Sequence, residues 1–459
     1  MNFSKKTRLY IRRDKKDYAC SLLYSVFFIL IIASSAVAER LSLKQAIHIA
    51  LNDSHDLKAY SWTIEDQKND VSAARGHFYP RVNIEERYIR TDSPTYGFMA
   101  KLNQERFSQE DFLINKLNNP DDISDFQTAL TIEQPLFVPK VNIGLGISKN
   151  ELEARKAEYK IKKDEKALTV VKMFLGIQTA REHLKAAQKG LEDALEHKRL
   201  ASLRNESGTG LYSDMLRTEV EVKKAESDIL KIKGNIEVSK RALGLALGKT
   251  EAVDVLGEKI SLPVTDLTSY LKASENRQDL EALRLRYENS REGVKLEKTA
   301  FLPEMGIRGS YQFNDHTNPF APEGESYMLM GFLRWNLFDA SKYSRIKKAK
   351  ANKNKLEEQL LGLNKMIIFK VHEAYTRVME KEQNLLLSSA IVDEAQEALR
   401  LVRVRYENSL ASMVDLLDTQ VMLNNSRAGL ITAESDYISS IADLYYQSGI
   451  LLNTLNQDS

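Results

Sequence analysis

Residues Arg199–Val220, RLASLRNESGTGLYSDMLRTEV, overlay without a gap on Arg400–Val421, RLVRVRYENSLASMVDLLDTQV, 201 residues further along the chain. The overlay pairs Arg199 with Arg400, Arg204 with Arg405, Glu206 with Glu407 and Asp214 with Asp415. Upstream in the same register, Gln134-Pro135-Leu136-Phe137 falls on Trp335-Asn336-Leu337-Phe338, so the Phe-to-Asp interval is 77 residues in both halves. An interval conserved while most side chains diverge is held by geometry, because a shift of one residue rotates a helix face. The 459 residues therefore read as one fused architecture of two similar halves rather than as separate unrelated domains.

The N-terminus carries Lys5, Lys6, Arg8, Arg12, Arg13, Lys15 and Lys16, then an apolar run from Leu22 to Ile32, then Ala36-Val37-Ala38. A basic region, an apolar stretch too short to span a bilayer and a small-residue cleavage site predict a secretory signal peptide over residues 1–38. The twin-arginine route is disfavoured, because Asp14-Lys15-Lys16-Asp17 follows Arg12-Arg13 where an apolar stretch is expected. Cleavage removes seven positive and two negative charges, which turns 66 Lys+Arg against 64 Asp+Glu into 59 against 62, a net of −3. No basic surplus remains for nucleic acid. Cys20, the sole cysteine, leaves with the signal, so the exported chain is expected to have neither disulfides nor thiolate chemistry.

All nine prolines lie outside Lys140–Leu262 and Glu323–Ser459. Both stretches are free to be helical, since an interior proline removes a backbone hydrogen bond and clashes with the preceding turn. Within the first, Leu168, Val171 and Leu175, then Leu184, Ala187, Leu191 and Leu195, step by three and four, a helical stripe of coiled-coil character. The first break is Ser207-Gly208-Thr209-Gly210, matched by Asn408-Ser409-Leu410-Ala411-Ser412, with Ser213 or Ser412 available as a helix N-cap. Each half thus contains a long helical hairpin, about 140–248 and about 341–453. A shorter helix opens each half, Ser42–Phe78 and Arg277–Phe301.

Between these helices the pattern changes. Val82, Ile84 and Tyr88, then Ala129, Ile132 and Phe137, and in the second half Ile307, Gly309, Tyr311 and Phe313, then Tyr327, Leu329, Gly331, Leu333 and Trp335, alternate or cluster with polar partners. They predict one β-hairpin per half, about 81–137 and about 304–338. The first outer connection is longer by 22 positions of Asn/Asp/Pro-rich sequence around Thr91–Asp125, which reads as loop. The first repeat spans residues 39–262 and the second 263–459. Four strands cannot close a transmembrane barrel, which needs at least eight, so several copies must combine. Aromatic residues near the strand ends (Tyr79, Phe137, Phe301, Trp335, Phe338) suit the interfacial girdles of such a barrel.

These features together resemble the TolC-like outer-membrane efflux proteins: tandem halves, two strands per half, Gln134-Pro135-Leu136-Phe137 before the first long helix, and a turn followed by Val414-Asp415-Leu416-Leu417-Asp418. The resemblance covers essentially the whole exported chain. It implies a mainly α fold with a small β part, in which long α-helical hairpins form an α-barrel and three chains contribute four strands each to a twelve-stranded transmembrane barrel. It implies a passive exit duct of a tripartite efflux or type I secretion system, seated in outer-membrane lipid with its helical part in the periplasm. The implied partners are two further copies in a homotrimer, a periplasmic adaptor (membrane fusion) protein and, indirectly, an inner-membrane pump. By position, Asp415 and Asp418 match aspartates that line the periplasmic aperture, a ring that favours cations and whose crowding should raise its carboxyl pKa values. Tyr406, Ser213 and Asp214 match gate contacts. Ser207, Gly208 and Thr209, with Asn408, Ser409 and Leu410, match the tips on which adaptors dock. The gate arginine of the family corresponds here to Ala411; Arg405 or Arg217 are the candidates to replace it.

No catalytic residue, cofactor or metal site is expected: the seven histidines lack metal-ligand spacing, and Asp193 with His197 reads as a solvated helix pair. Arg-Tyr-Glu-Asn-Ser recurs at 286 and 405, out of phase with the main repeat. The rival function is a periplasmic coiled-coil scaffold or adaptor without a pore, which has no need of two aromatic-edged strand hairpins at matched positions.

Overall fold

The computed structural model describes residues 40–457; the signal-peptide expectation, with Cys20, lies outside them. A two-stranded parallel pair opens the fold: β1 (Arg40–Leu41) runs beside β4 (Asp254–Val255) of the inter-repeat segment. Helices α1 (Leu43–Asp53) and α2 (His55–Gly76) follow. The sequence predicted one helix here, but Ser54 is extended (ψ 134°) and divides it.

Strand β2 (Arg81–Thr91) leads into an outer connection that holds α3 (Pro94–Asn103), a 3₁₀ turn (Gln109–Phe112) and the short α4 (Ile114–Asn118). That stretch reads as loop by composition, yet Pro94 stands in the first turn of a helix, where its missing N–H costs nothing. Strand β3 (Ile123–Phe137) then returns to α5 (Pro139–Glu206), whose hairpin partner is α6 (Tyr212–Ala246). The second half repeats the plan with α7 (Leu267–Ser274), α8 (Gln278–Lys298), β5 (Glu304–Asp315), β6 (Gly324–Arg334), α9 (Ala340–Glu407) and α10 (Met413–Ser448), closed by α11 (Leu451–Gln457).

Helices α5 and α9 are each 68 residues long, about 100 Å at 1.5 Å per residue, so the equal spacing in sequence is equal length in space. Their main core sits partway along them, beside the β1–β4 pair: Val170, Val171, Phe174 and Ile177 of α5 pack with Ala46 and Ala50 of α1, Val371 and Val378 of α9, and Ile441, Leu444 and Tyr445 of α10. Arg286 of α8 is tied to α5 through Glu151 at 3.0 Å and Glu158 at 2.5 Å. No helix among the described residues is long and apolar enough to cross a membrane.

The two strand hairpins join in one antiparallel sheet of order β2-β3-β5-β6, because β3 also pairs with β5. Register places Val82, Ile84 and Tyr88 beside Ile132, Leu130 and Phe126, and continues through Gly309 and Tyr311 to Leu329 and Tyr327. This face is apolar and open, with Tyr327 83% and Leu329 77% exposed. The opposite face is mostly polar on three strands: Asn83, Glu85, Arg87; Gln127, Thr131, Glu133; Arg308, Ser310, Gln312, Asn314; its apolar members include Ile89, Ala129, Met328, Met330 and Phe332. Arg308 pairs with Glu133 on this side. Strands β2 and β6 each have one neighbour, so both outer edges are unpaired.

Candidate functional site: the hairpin tips

At the end remote from the sheet, each long helix turns back on itself, and the two turns superpose in kind. The first is closed by the N–H groups of Thr209 and Gly210, which both donate to Arg204 O (2.9 and 2.8 Å). The second is closed by Leu410 N donating to Arg405 O at 2.8 Å. Gly208 has φ +73° and its repeat partner Ser409 φ +63°, so both turns require one left-handed residue. Glycine meets that demand freely; serine does so with strain.

The two returning helices start differently. Ser412 is the N-cap of α10 and forms a capping box with Asp415: Asp415 N donates to Ser412 Oγ at 3.1 Å, while Asp415 Oδ2 accepts from Ser412 N (2.9 Å) and Ser412 Oγ (2.7 Å). In α6 the N-cap is Leu211, with no side-chain cap, and Ser213 stands inside the first turn. The expectation that Ser213 caps its helix is thus corrected: the cap falls two residues earlier, at Leu211, and Ser213 is left exposed.

Asp415 and Asp418 are both exposed, three residues apart on one side of α10. Hydrogen bonds from the Ser412 side chain and backbone, with Arg405 nearby, hold the Asp415 carboxyl below the usual carboxylate range. Within one chain this is opposite to the upward shift expected of a crowded ring. Asp214, partly buried, lies near Tyr406.

Tyr406 is not a surface residue. It is 4% exposed and packs with Ala201, Met413 and Leu416; Ala411 and Leu417 border the same cluster. Over its ring lies the guanidinium of Arg204, 4.1 Å from the centroid, whose Nη2 donates to Tyr406 O at 2.6 Å and Glu407 O at 3.3 Å. Burial pushes the Tyr406 hydroxyl pKa up, against the influence of Arg204. Among the described residues, no hydrogen bond or ion pair joins Arg405 or Arg217 to Tyr406, Ser213 or Asp214. The arginine that clamps the tip is therefore Arg204, which the sequence pairs with Arg405 of the other half and so conceals as a repeat residue. It caps the carbonyl end of α9, where a cation is favourable, and stacks on an aromatic face.

A second polar contact joins the hairpins higher up. His197 of α5 is 4% exposed, with Nε2 3.2 Å from Gln420 Oε1 of α10. Gln420 Nε2 donates to Asp193 Oδ2 at 3.3 Å and Asn424 Oδ1 at 3.1 Å, and Arg427 approaches Asp193 at 3.9 Å. Asp193 and His197 are therefore not a solvated pair, because α10 packs over them. Burial lowers the His197 pKa.

Two long hairpins meet at paired tips, and at the other end the strands, 11 to 15 residues long, have the length of tilted membrane strands. The chain belongs to the outer membrane efflux protein family, whose profile matches residues 46–249 and 270–449. It is similar to outer membrane protein TolC of Vibrio cholerae (23% identity over 173 residues, 37% of this chain and 39% of that one). It is also similar to the alkaline protease secretion protein AprF of Pseudomonas aeruginosa, at 21% identity over 343 residues, 72% of this chain and 71% of that one. Solved structures share the fold: CusC (TM-score 0.76, 14% identity, 90% of this chain and 95% of that one) and VceC of Vibrio cholerae (TM-score 0.74, 17% identity, 89% and 96%).

Proposed function

We propose that three copies of this chain form a passive exit duct of the outer membrane, with twelve strands closed into a barrel and the helical hairpins continuing it as a tunnel through the periplasm. The observation that carries this reading is the sheet: two unpaired edges and one exposed apolar face, on a chain whose two long helices have equal length. Exposed edges and apolar faces of this kind aggregate unless they are paired and covered; neighbouring copies pair the edges and lipid covers the face.

In this assembly Asp415 and Asp418 line the periplasmic aperture, six carboxylates in all, and Tyr406, Ser213 and Asp214 stand at its gate. The tips Ser207-Gly208-Thr209 and Asn408-Ser409-Leu410 dock a periplasmic adaptor, which couples the duct to an inner-membrane pump of an efflux or type I secretion system. Support for the secretion branch comes from the similarity to a protein named for protease secretion. Membrane fractionation followed by mass determination in detergent tests the reading. A trimer in the outer-membrane fraction is expected; a monomer in the soluble periplasm overturns it in favour of a scaffold.

A further inference from the structure

The first outer connection is where the halves differ most, and it folds back onto the sheet. Gly97, Ala100 and Gln104 form the buried side of α3 and the residue that ends it. Gln104 is fully buried, and its Nε2 donates to Ser124 O at 2.9 Å and Asp125 Oδ1 at 2.8 Å. Asp125 also accepts from Asn314 Nδ2 (2.9 and 3.0 Å) and from Gln127 Nε2 at 2.7 Å. Asp125 and Asn314 are each 1% exposed, so this is a buried carboxylate with every approach taken by an amide donor. The second hairpin is shaped to it as well, since a Cβ on Gly324 would collide with the carbonyl oxygen of Asn103.

Sheet register decides which side α3 occupies. Asp125 and Gln127 of β3 and Asn314 of β5 all point to the polar face, the side opposite Val82, Ile84 and Leu329. In a barrel that face lines the pore. On the helix, Met99 and Leu102 lie about 100–160° round from the buried Gly97 and Ala100, with Met99 at the rim of a groove it shares with Asp125 and Gln127 of the sheet. They are 51% and 43% exposed, apolar residues held over a polar wall.

We infer that α3 is a constriction at the outer mouth of the duct: Met99 and Leu102 of each copy face the same residues of the other two copies and form an apolar ring that opposes wetting. The partner of this surface is a second copy of the chain, and the inference rests on the trimeric barrel proposed above. The exit is thereby narrowed independently of the periplasmic tips.

Labelling from outside the cell tests it. Ser310 lies on the pore face four residues from Asn314, about 13 Å deeper at 3.3 Å per residue. In the full chain with Cys20→Ser, Ser310→Cys is exposed to fluorescein maleimide added to intact cells. Slow labelling is expected with the natural loop. Breaking the amide knot with Gln104→Ala, which removes two buried hydrogen bonds, should speed it at least tenfold, and replacing Met99→Ser with Leu102→Ser should speed it by wetting the ring. Leu102→Cys should crosslink copy to copy with a short bis-maleimide. An intact trimer in which Ser310→Cys reacts rapidly and equally in all backgrounds, or in which Leu102→Cys gives no crosslink, overturns the constriction while leaving the duct standing. A monomer with unrestricted labelling overturns both.

Discussion

At the residue scale, the tip depends on one arginine. Arg204 combines a stacked guanidinium with two bonds to the last carbonyls of α9, so Arg204→Ala should loosen the tip by about 1–3 kcal/mol. Hydrogen exchange of residues 400–416 reads this directly, and Arg204→Lys should recover only part of the protection, because an ammonium lacks the planar fork. The two helix starts make a paired test. Ser412→Ala removes a capping box and should cost about 1 kcal/mol, whereas Ser213→Ala, which removes no cap, should stay within about 0.5 kcal/mol. Thermal unfolding of the two variants side by side checks the difference; equal effects would contradict the capping assignment. The recurring Arg-Tyr-Glu-Asn-Ser shows how little five residues determine alone. At 286 it lies inside α8, with Asn289 donating to Ile147 O at 3.1 Å, whereas at 405 it ends α9, with Asn408 as C-cap and Ser409 left-handed.

At the element scale, α5 and α10 are joined by a buried polar knot. His197 stays neutral when buried, so its folded pKa lies below the unfolded value. The folded state then binds fewer protons than the unfolded one, and the stability tied to neutral His197 is full above the unfolded pKa and falls as pH drops below it. The groups facing it are Asp193, Glu196, Arg403 and, through Asp193, Arg427. Melting temperature should fall more steeply between pH 7.5 and 5 for the natural chain than for His197→Gln; parallel curves would remove His197 from the account. Element lengths were legible from the repeat, since the interval sets both 68-residue helices. The division at Ser54 and the helix at Pro94 were not, because each depends on what the segment packs against: α1 joins the main core, and α3 lies on the sheet.

At the scale of the whole molecule, the predictions concern assembly. Leu329→Arg puts a charge on the apolar face of β6 and should cost about 2–4 kcal/mol if that residue lies near the bilayer midplane, lowering the amount of trimer in outer membranes. Arginine at Ser310, on the opposite face, should be far better tolerated, and quantitative immunoblotting of membrane fractions compares the two. Asp415→Ala with Asp418→Ala should weaken cation selectivity and block by multivalent cations in planar bilayers, since both carboxylates of every copy leave the proposed aperture. Unchanged selectivity in the double variant would move the aperture elsewhere. The sequence by itself determined the duplication, the equal length of the two longest helices and the strand positions, because backbone periodicity, proline exclusion and equal spacing are local properties that repeat in register; the family came from the resemblance of its motifs to the TolC-like proteins. Only the tertiary structure decided that Arg204 rather than Arg405 or Arg217 clamps Tyr406, that His197 is buried under α10, and that the first outer connection lies on the polar face of the sheet. Those three outcomes depend on contacts between segments up to about two hundred residues apart, where packing and desolvation, not periodicity, select the partner.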